Sequence, residues 1–259
     1  MLAYRQEEAV ALGHLDQVIG YAREASEPWL EACAWQARGQ ARERAADAFG
    51  DWQEAVAQFA AAGDMMHASN VRYMLAYRAV EVGERLAEVP VWLRECESYA
   101  ASHGYWHELA HIHKVRAVYE RMHGRLEGAR DLLDGALTVF RQAGDFRCTA
   151  RTLIELAEHH RPGDPAAAAD LLLRGLGMAM LAGGGLLRAR VLASLVTAAV
   201  AAGDLPLAAR AFGALDALGQ AQAVPADLAS ALQAPACNSY VEEGRVGGIS
   251  LITTLYPAA

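Results

Sequence analysis

The chain contains 259 residues, of which 54% are hydrophobic and 21% are charged, a balance typical of a folded protein and unlike that of a disordered one. Its formal net charge of −8 argues against a nucleic-acid-binding surface, because phosphate recognition needs clustered Lys and Arg. The four cysteines form no Cys-x-x-Cys pair and the acidic N-terminal segment does not resemble a signal peptide, so we expect a cytoplasmic protein with reduced thiols.

Glycine recurs about every forty residues along the chain, in two interleaved sets. Self-similarity at this period predicts a stack of helical hairpins, because one hairpin cannot bury its apolar face alone and needs its neighbours. One set marks the predicted turns between hairpins, and the other marks the predicted turns within them. The first set is Gly63, Gly104, Gly144 and Gly184, and the second is Gly13, Gly50, Gly83, Gly124, Gly163 and Gly203.

The clearest predicted hairpin joins residues 105–122 to residues 126–142 at Gly124. Apolar residues recur at steps of three and four in its second helix, which indicates one buried stripe. Similar helices follow Gly50, Gly163 and Gly203, with an alanine five residues after each glycine and Phe or Leu nine residues after it. A small residue at a fixed point lets neighbouring helices approach closely, and a large one fills the groove beside it.

The last forty residues depart from this period. Pro225 and Pro235 permit only one short helix between them, over residues 226–233. The following Gly-Gly-Ile-Ser-Leu-Ile-Thr-Thr-Leu-Tyr segment contains β-branched residues and two glycines. We predict an irregular cap over residues 220–259, and a short strand remains the alternative for this last segment.

The Gly-Asp-x-x-x-Ala…Phe/Leu…Ala pattern resembles the tetratricopeptide repeat (TPR) in its longer, roughly 40-residue form. The resemblance covers residues 1–219 and implies an all-α, right-handed superhelical solenoid of about six antiparallel helix pairs. The same stretch is similar to the repeat region of MalT-like and LuxR-type bacterial regulators, which implies a signalling role. The 259 residues contain neither the phosphate loop nor the basic helix-turn-helix of those regulators, so a fragment and a stand-alone relative both remain open.

The resemblance also implies where a partner binds. In the family, the first helix of each pair lines a concave groove, and its exposed residues make the contacts. Counting back thirteen, ten, six and three residues from the turn glycines carries these positions over to this chain. Polar, cationic and aromatic residues there are suited to peptide recognition. The predicted ligand- or partner-binding residues are Gln40, Arg44, Asn70, Tyr73, Tyr77, His111, Lys114 and Arg121, and Asp47 occupies a further groove position.

One string matches a zinc motif. His107-Glu108-Leu109-Ala110-His111 is His-Glu-x-x-His, which on a helix places two imidazoles on one face, with the glutamate as general base. The metzincin continuation is absent, because Lys114 and Ala117 stand at its glycine and histidine positions. The repeat register also accounts for this helix as a polar face, and we prefer that interpretation. We therefore expect no catalytic residue, no metal and no cofactor, with His107 and His111 kept as the alternative metal ligands.

Together these observations predict a non-catalytic protein- or peptide-binding scaffold, with a regulatory or sensor role in bacterial signalling or transcription control. The alternatives are a peptide- or small-effector-sensing regulator and a zinc-dependent hydrolase. Lys114 and Arg121 in an acidic chain favour an acidic peptide or a carboxylate-bearing ligand. We expect no direct nucleic-acid binding and no membrane span, because the most apolar stretches, 175–187 and 191–202, are short. A homodimer is left open.

Overall fold

The computed structural model of the chain describes residues 2–42 and 45–246. Over these residues it contains thirteen α-helices, two short 3-10 turns and no β-strand. The helices are α1 (Leu2–Glu24), α2 (Pro28–Ala41), α3 (Ala45–Ala61), α4 (Met65–Val82), α5 (Val89–His103), α6 (Trp106–Met122), α7 (Leu126–Gln142), α8 (Phe146–His160), α9 (Pro165–Ala182), α10 (Gly185–Ala201), α11 (Leu205–Ala217), α12 (Ala226–Leu232) and α13 (Asn238–Val246).

The helices fall into two compact units, Met1–His123 and Gly124–Ala259. In the first unit each helix from α1 to α6 packs against the next one, and α4 also contacts α6. The core of this unit contains Phe49, Phe59, Leu75 and Leu93, and Phe49 stacks on Trp92 with ring centroids 6.5 Å apart. Consecutive helices joined by short turns are antiparallel, so this unit is a stack of helical hairpins.

In the second unit, α7 to α11 again pack consecutively, and α8 also contacts α10. The spacing of small and large residues predicted for the second helix of each pair is confirmed. The alanines five residues after the turn glycines have no exposed surface, and the large residues nine after them are at most 1% exposed. These residues are Ala129, Ala168 and Ala208, with Leu133, Leu172 and Phe212; Ala55 and Phe59 are their counterparts in the first unit.

The turns are made by the glycine that recurs in the sequence and by the aspartate that follows it. Gly63 and Gly203 have φ of 78° and 77°, a left-handed conformation that ends a helix without a Cβ clash. Asp64 and Asp204 then cap the next helix, accepting the backbone N–H of His67 and Leu207 at 3.0 Å. Asp145 and Asp164 cap α8 and α9 in the same way, and Gly83, Gly104, Gly124 and Gly144 also have positive φ.

Two of the predicted turns are wrong. Gly13 lies inside α1 and Gly50 inside α3, so the first two hairpins become one long helix followed by the pair α2 and α3. The described residues before the C-terminal segment therefore form eleven helices, α1 to α11, where six pairs were predicted. The Gly50-Asp51 dipeptide is not a helix stop, because the Asp51 carboxylate is buried and accepts the Arg42 Nε–H at 3.0 Å. The break falls at Arg42, whose backbone is extended.

The all-α fold built from antiparallel helix pairs is confirmed. The short helix predicted between the two prolines is present as α12. The segment after it is more regular than the predicted irregular cap, because α13 packs against α11. The possible strand at residues 247–256 lies outside the described residues. The proposed boundary at residue 219 remains a prediction.

One described helix, α9, is long and apolar enough by length and composition to cross a membrane. This helix is longer than the apolar stretches considered in the sequence. It packs between α8 and α10 in the second unit, and Ala168, Leu172, Leu176 and Ala179 are buried there. One third of the α9 residues are buried in these contacts.

Candidate functional site

Two predicted binding residues of α4 and one of α6 meet in the first unit. The buried side of α4 carries Val71 and Leu75, which places Tyr73 and Tyr77 on another face, one turn apart. The two phenol rings stack with centroids 6.3 Å apart, and the Tyr73 ring meets the edge of His111 at 6.2 Å. Because α4 contacts α6, the first helices of two successive pairs contribute to one row of rings.

The row extends to His107, one turn before His111 on α6. The imidazole centroids lie 4.9 Å apart and the ring planes are inclined by 71°. Tyr77 is 38% exposed, and the other three rings are half-buried. We call Tyr73, Tyr77, His107 and His111 the ring row. Its apolar ring faces and polar phenol and imidazole groups can contact a peptide side chain and its backbone.

The remaining predicted residues take different environments. Gln40, at the end of α2, and Asn70, on α4, are exposed, and Arg121 is half-buried near the end of α6. Lys114 is only 7% exposed, so its assignment as an exposed groove residue is wrong. Position 114 lies among the buried residues Ile112, Val115 and Ala117 of α6. Arg44 lies outside the described residues, and Asp47 is on α3 rather than on the first helix of a pair.

An ion pair between Glu97 and Arg116 links α5 and α6. The Arg116 Nε–H and Nη2–H groups donate to the two oxygens of the Glu97 carboxylate, which joins the two helices. Burial is the main cause that lowers the pKa of the nearby His113; the Glu97 carboxylate acts to raise this pKa and the Arg116 guanidinium to lower it further. At neutral pH His113 is therefore an uncharged imidazole, and it adds no positive charge to this part of the unit.

The His-Glu-x-x-His string lies on α6, as its spacing requires. The His107 and His111 rings are neighbours on one face, and Glu108 is exposed. This geometry supplies two imidazoles of the kind that bind zinc. The zinc interpretation of these residues stays a prediction.

A second concave region, which the sequence analysis missed, lies at the ends of helices in the same unit. This Trp29 pocket has a volume of about 740 Å³. Its residues come from the start of α2, the turn between α3 and α4, and the end of α5. In the sequence, only the Trp, Met, Tyr and His residues at those helix ends indicated such a pocket. Counting back from the turn glycines selects residues in the middle of helices and so does not reach it. The lining residues are Trp29, Ala62, Gly63, Asp64, Met65, Met66, Tyr99 and His103.

Comparison with known proteins gives a structural likeness and no sequence family. No protein-family model matches the chain, and no curated protein matches it. Among solved structures, the chain is similar to BtubC (BKLC) from P. vanneervenii, with a TM-score of 0.66 and 16% sequence identity. The match covers 85% of this chain and 91% of that protein. At this identity the likeness extends to the helical fold alone.

Proposed function

We propose that the chain is a non-catalytic, TPR-like module that binds a protein or peptide segment. Three features support the proposal: the forty-residue period, the antiparallel helix pairs, and the placement of Tyr73, Tyr77 and His111 beside one another on successive first helices. Arrays of stacked hairpins present extended binding surfaces, because each repeat contributes the same face.

The ring row is the observation that carries this proposal. Tyrosine offers a large and rigid contact area with few rotatable bonds, so little conformational entropy is lost when a ligand covers it. Tyr73 is already held between Tyr77 and His111. A binding surface that is ordered before the ligand arrives gives a higher affinity for the same contacts.

The partner that we propose is an acidic or carboxylate-bearing segment. With Lys114 buried, this preference rests on Arg121 and on the imidazoles of His107 and His111. The similarity to the repeat region of MalT-like and LuxR-type regulators supports a regulatory role in bacterial signalling or transcription control, in the cytoplasm. A homodimer is compatible with the proposal.

The first prediction tests the ring row directly. We expect Tyr73→Ala/Tyr77→Ala to weaken peptide binding by about tenfold or more, because truncating aromatic anchors removes most of the contact area. Peptides are first selected against the wild-type chain from a random displayed library, and their dissociation constants are then measured by fluorescence polarisation. The control is Tyr21→Ala, since Tyr21 is 67% exposed and lies on α1. Equal affinity in the double variant, or no selectable peptide, would contradict the proposal.

Two alternatives come from the same region. A small effector that occupies the groove would make the chain a sensor, and it would bind in place of a peptide. The zinc-dependent hydrolase is favoured by one observation, the pair of neighbouring imidazoles on α6. Metal content of protein purified without chelators distinguishes the hydrolase from both binding functions, because a catalytic site needs stoichiometric zinc.

A further inference from the structure

The Trp29 pocket has the size of a small-molecule site. Its volume of about 740 Å³ falls within the range of roughly 300–1,000 Å³ that such sites occupy. It shares no residue with the ring row, so binding there is independent of the proposed peptide-binding function. Aromatic and methionine side chains dominate its wall, and Met65 and Met66 are 45% and 50% exposed.

One wall of the pocket is the indole of Trp29, which is held in place. Its Nε1–H donates to the Asp64 Oδ2 atom at 3.0 Å. The ring also makes edge contacts with Phe59 at 6.5 Å and with His67 at 6.2 Å between centroids. Trp29 nevertheless remains 47% exposed. An exposed indole with a fixed orientation presents a large aromatic surface at little entropic cost.

The residues of α5 that line the pocket are held in a similar way. The His103 and Tyr99 rings lie 4.2 Å apart, and His103 Nδ1 is 2.8 Å from the Tyr99 carbonyl oxygen. Because a carbonyl only accepts, Nδ1 carries the proton in this contact. The Tyr105 ring stacks on His103 at 5.5 Å. This second aromatic surface is therefore ordered before any ligand arrives.

The pocket carries the negative charge of Asp64, whose Oδ2 atom also lies 2.6 Å from the Nδ1 atom of His67, a residue outside the lining. Among its described lining residues there is no Lys or Arg, and Asp64 is the one carboxylate. The hydrogen bond from the His67 backbone N–H is the main cause that holds the pKa of Asp64 below its usual range, so this carboxyl group is ionised at neutral pH. Asp64 also adds to the raised pKa of Tyr99, after burial and Tyr105. The Asp64 carboxylate therefore interacts electrostatically with the Tyr99 phenol.

We propose that the Trp29 pocket binds a small organic cation of the quaternary ammonium class. Aromatic ring faces attract cations through their quadrupole, Trp most strongly, and a nearby carboxylate adds direct attraction. Methionine thioethers are polarizable and adapt to the apolar groups around such a cation. The match is between an open, aromatic surface pocket that carries a carboxylate and a positive ligand with an apolar shell.

The test compares a cation with its uncharged analogue of the same shape. Choline and 3,3-dimethylbutan-1-ol differ in having nitrogen or carbon at the branched centre. We expect isothermal titration calorimetry with the full chain to detect choline and to give at least about tenfold weaker binding for the alcohol. Equal affinity for the two compounds, or no binding of choline, overturns the proposal.

A matched pair of variants locates the site. Asp64→Asn keeps an oxygen acceptor at the helix N-terminus and removes the charge, and it should weaken choline binding by about tenfold. Asp204→Asn makes the same change at the same capping position of α11 and should leave the affinity within about twofold. Trp29→Leu retains the carboxylate and removes the indole, and it should also weaken binding by about tenfold. Circular dichroism establishes that each variant folds.

Three results contradict this assignment. Unchanged choline binding in both Asp64→Asn and Trp29→Leu places the cation elsewhere. Equal weakening in Asp64→Asn and Asp204→Asn attributes the effect to helix capping. Binding of lysine peptides without binding of choline makes the pocket a peptide site rather than a site for a small cation. Peptide binding at the ring row is unaffected by any of these results, since Tyr73 and Tyr77 are unchanged.

Discussion

Two basic residues on the neighbouring helices α5 and α6 differ sharply in solvent exposure, which their residue type alone does not indicate. Lys114 is buried, whereas Arg94 of α5 is exposed. Reversing a buried charge leaves an uncompensated charge in a poorly solvated place, and such changes cost about 3–5 kcal/mol. Reversing an exposed charge costs little, because water screens it.

We therefore expect Lys114→Glu to lower the free energy of unfolding by about 3 kcal/mol or more. Arg94→Glu, the control, should change it by less than about 1 kcal/mol. Urea denaturation followed by circular dichroism measures both values. Similar stabilities for the two variants would show that Lys114 is solvated.

The residues of the two candidate sites show which features could be predicted from the sequence. The sequence predicts Tyr73, Tyr77 and His111 on one groove, and their rings are in contact because Gly83 and Gly124 end their helices and helical periodicity then determines the face. Their role in binding stays a prediction. The prediction that Lys114 is exposed was wrong, because the helical register taken from the family gives the face of a residue but not its burial. The Trp29 pocket was missed because three segments far apart in the sequence form it through tertiary contacts, such as that of Trp29 with Asp64, 35 residues away.

At the scale of helices, glycine has two roles that the sequence alone does not separate. At turns it adopts positive φ, but Gly213 and Gly244 lie inside α11 and α13 and let the two backbones touch. A Cβ at Gly213 would overlap the Val241 carbonyl, and one at Gly244 would overlap the Arg210 carbonyl. Neither neighbour is a flexible side chain, so α13 would have to move. Position 177, also inside a helix, has no neighbouring atom near an added Cβ.

We expect Gly213→Ala to lower the free energy of unfolding by about 1–3 kcal/mol through overpacking against α13. Gly177→Ala should be neutral or stabilising by up to about 1 kcal/mol, because alanine is the better helix former. Chemical denaturation gives both values, and limited proteolysis should cut Gly213→Ala first within α13. A stable Gly213→Ala with intact α13 would mean that α11 and α13 are not in direct backbone contact.

At the scale of the molecule, the consecutive contacts of a helical repeat predict graded stability. Each hairpin gains most of its stability from its neighbours, so a helix with fewer neighbours opens at lower free energy. In the first unit α4 contacts α3, α5 and α6, whereas the described contacts of α1 are with α2. The burial of the two helices differs accordingly. In α4, Val71, Leu75 and Ala79 are at most 1% exposed. Among residues 7–24 of α1, whose burial is described, Ile19 and Ala22 are buried and most of the others are exposed.

Native-state hydrogen exchange on the full chain should therefore separate these two helices. We expect backbone amides in the C-terminal half of α1 to exchange at least about tenfold faster than those around Val71 and Leu75 of α4, because α1 opens without disrupting the rest of the unit. Mass spectrometry of peptic fragments gives both rates from one sample, which removes differences in pH and temperature. A single common rate for α1 and α4 would indicate that the first unit opens all at once. In that case nearest-neighbour contacts alone would not describe the stability of these helices.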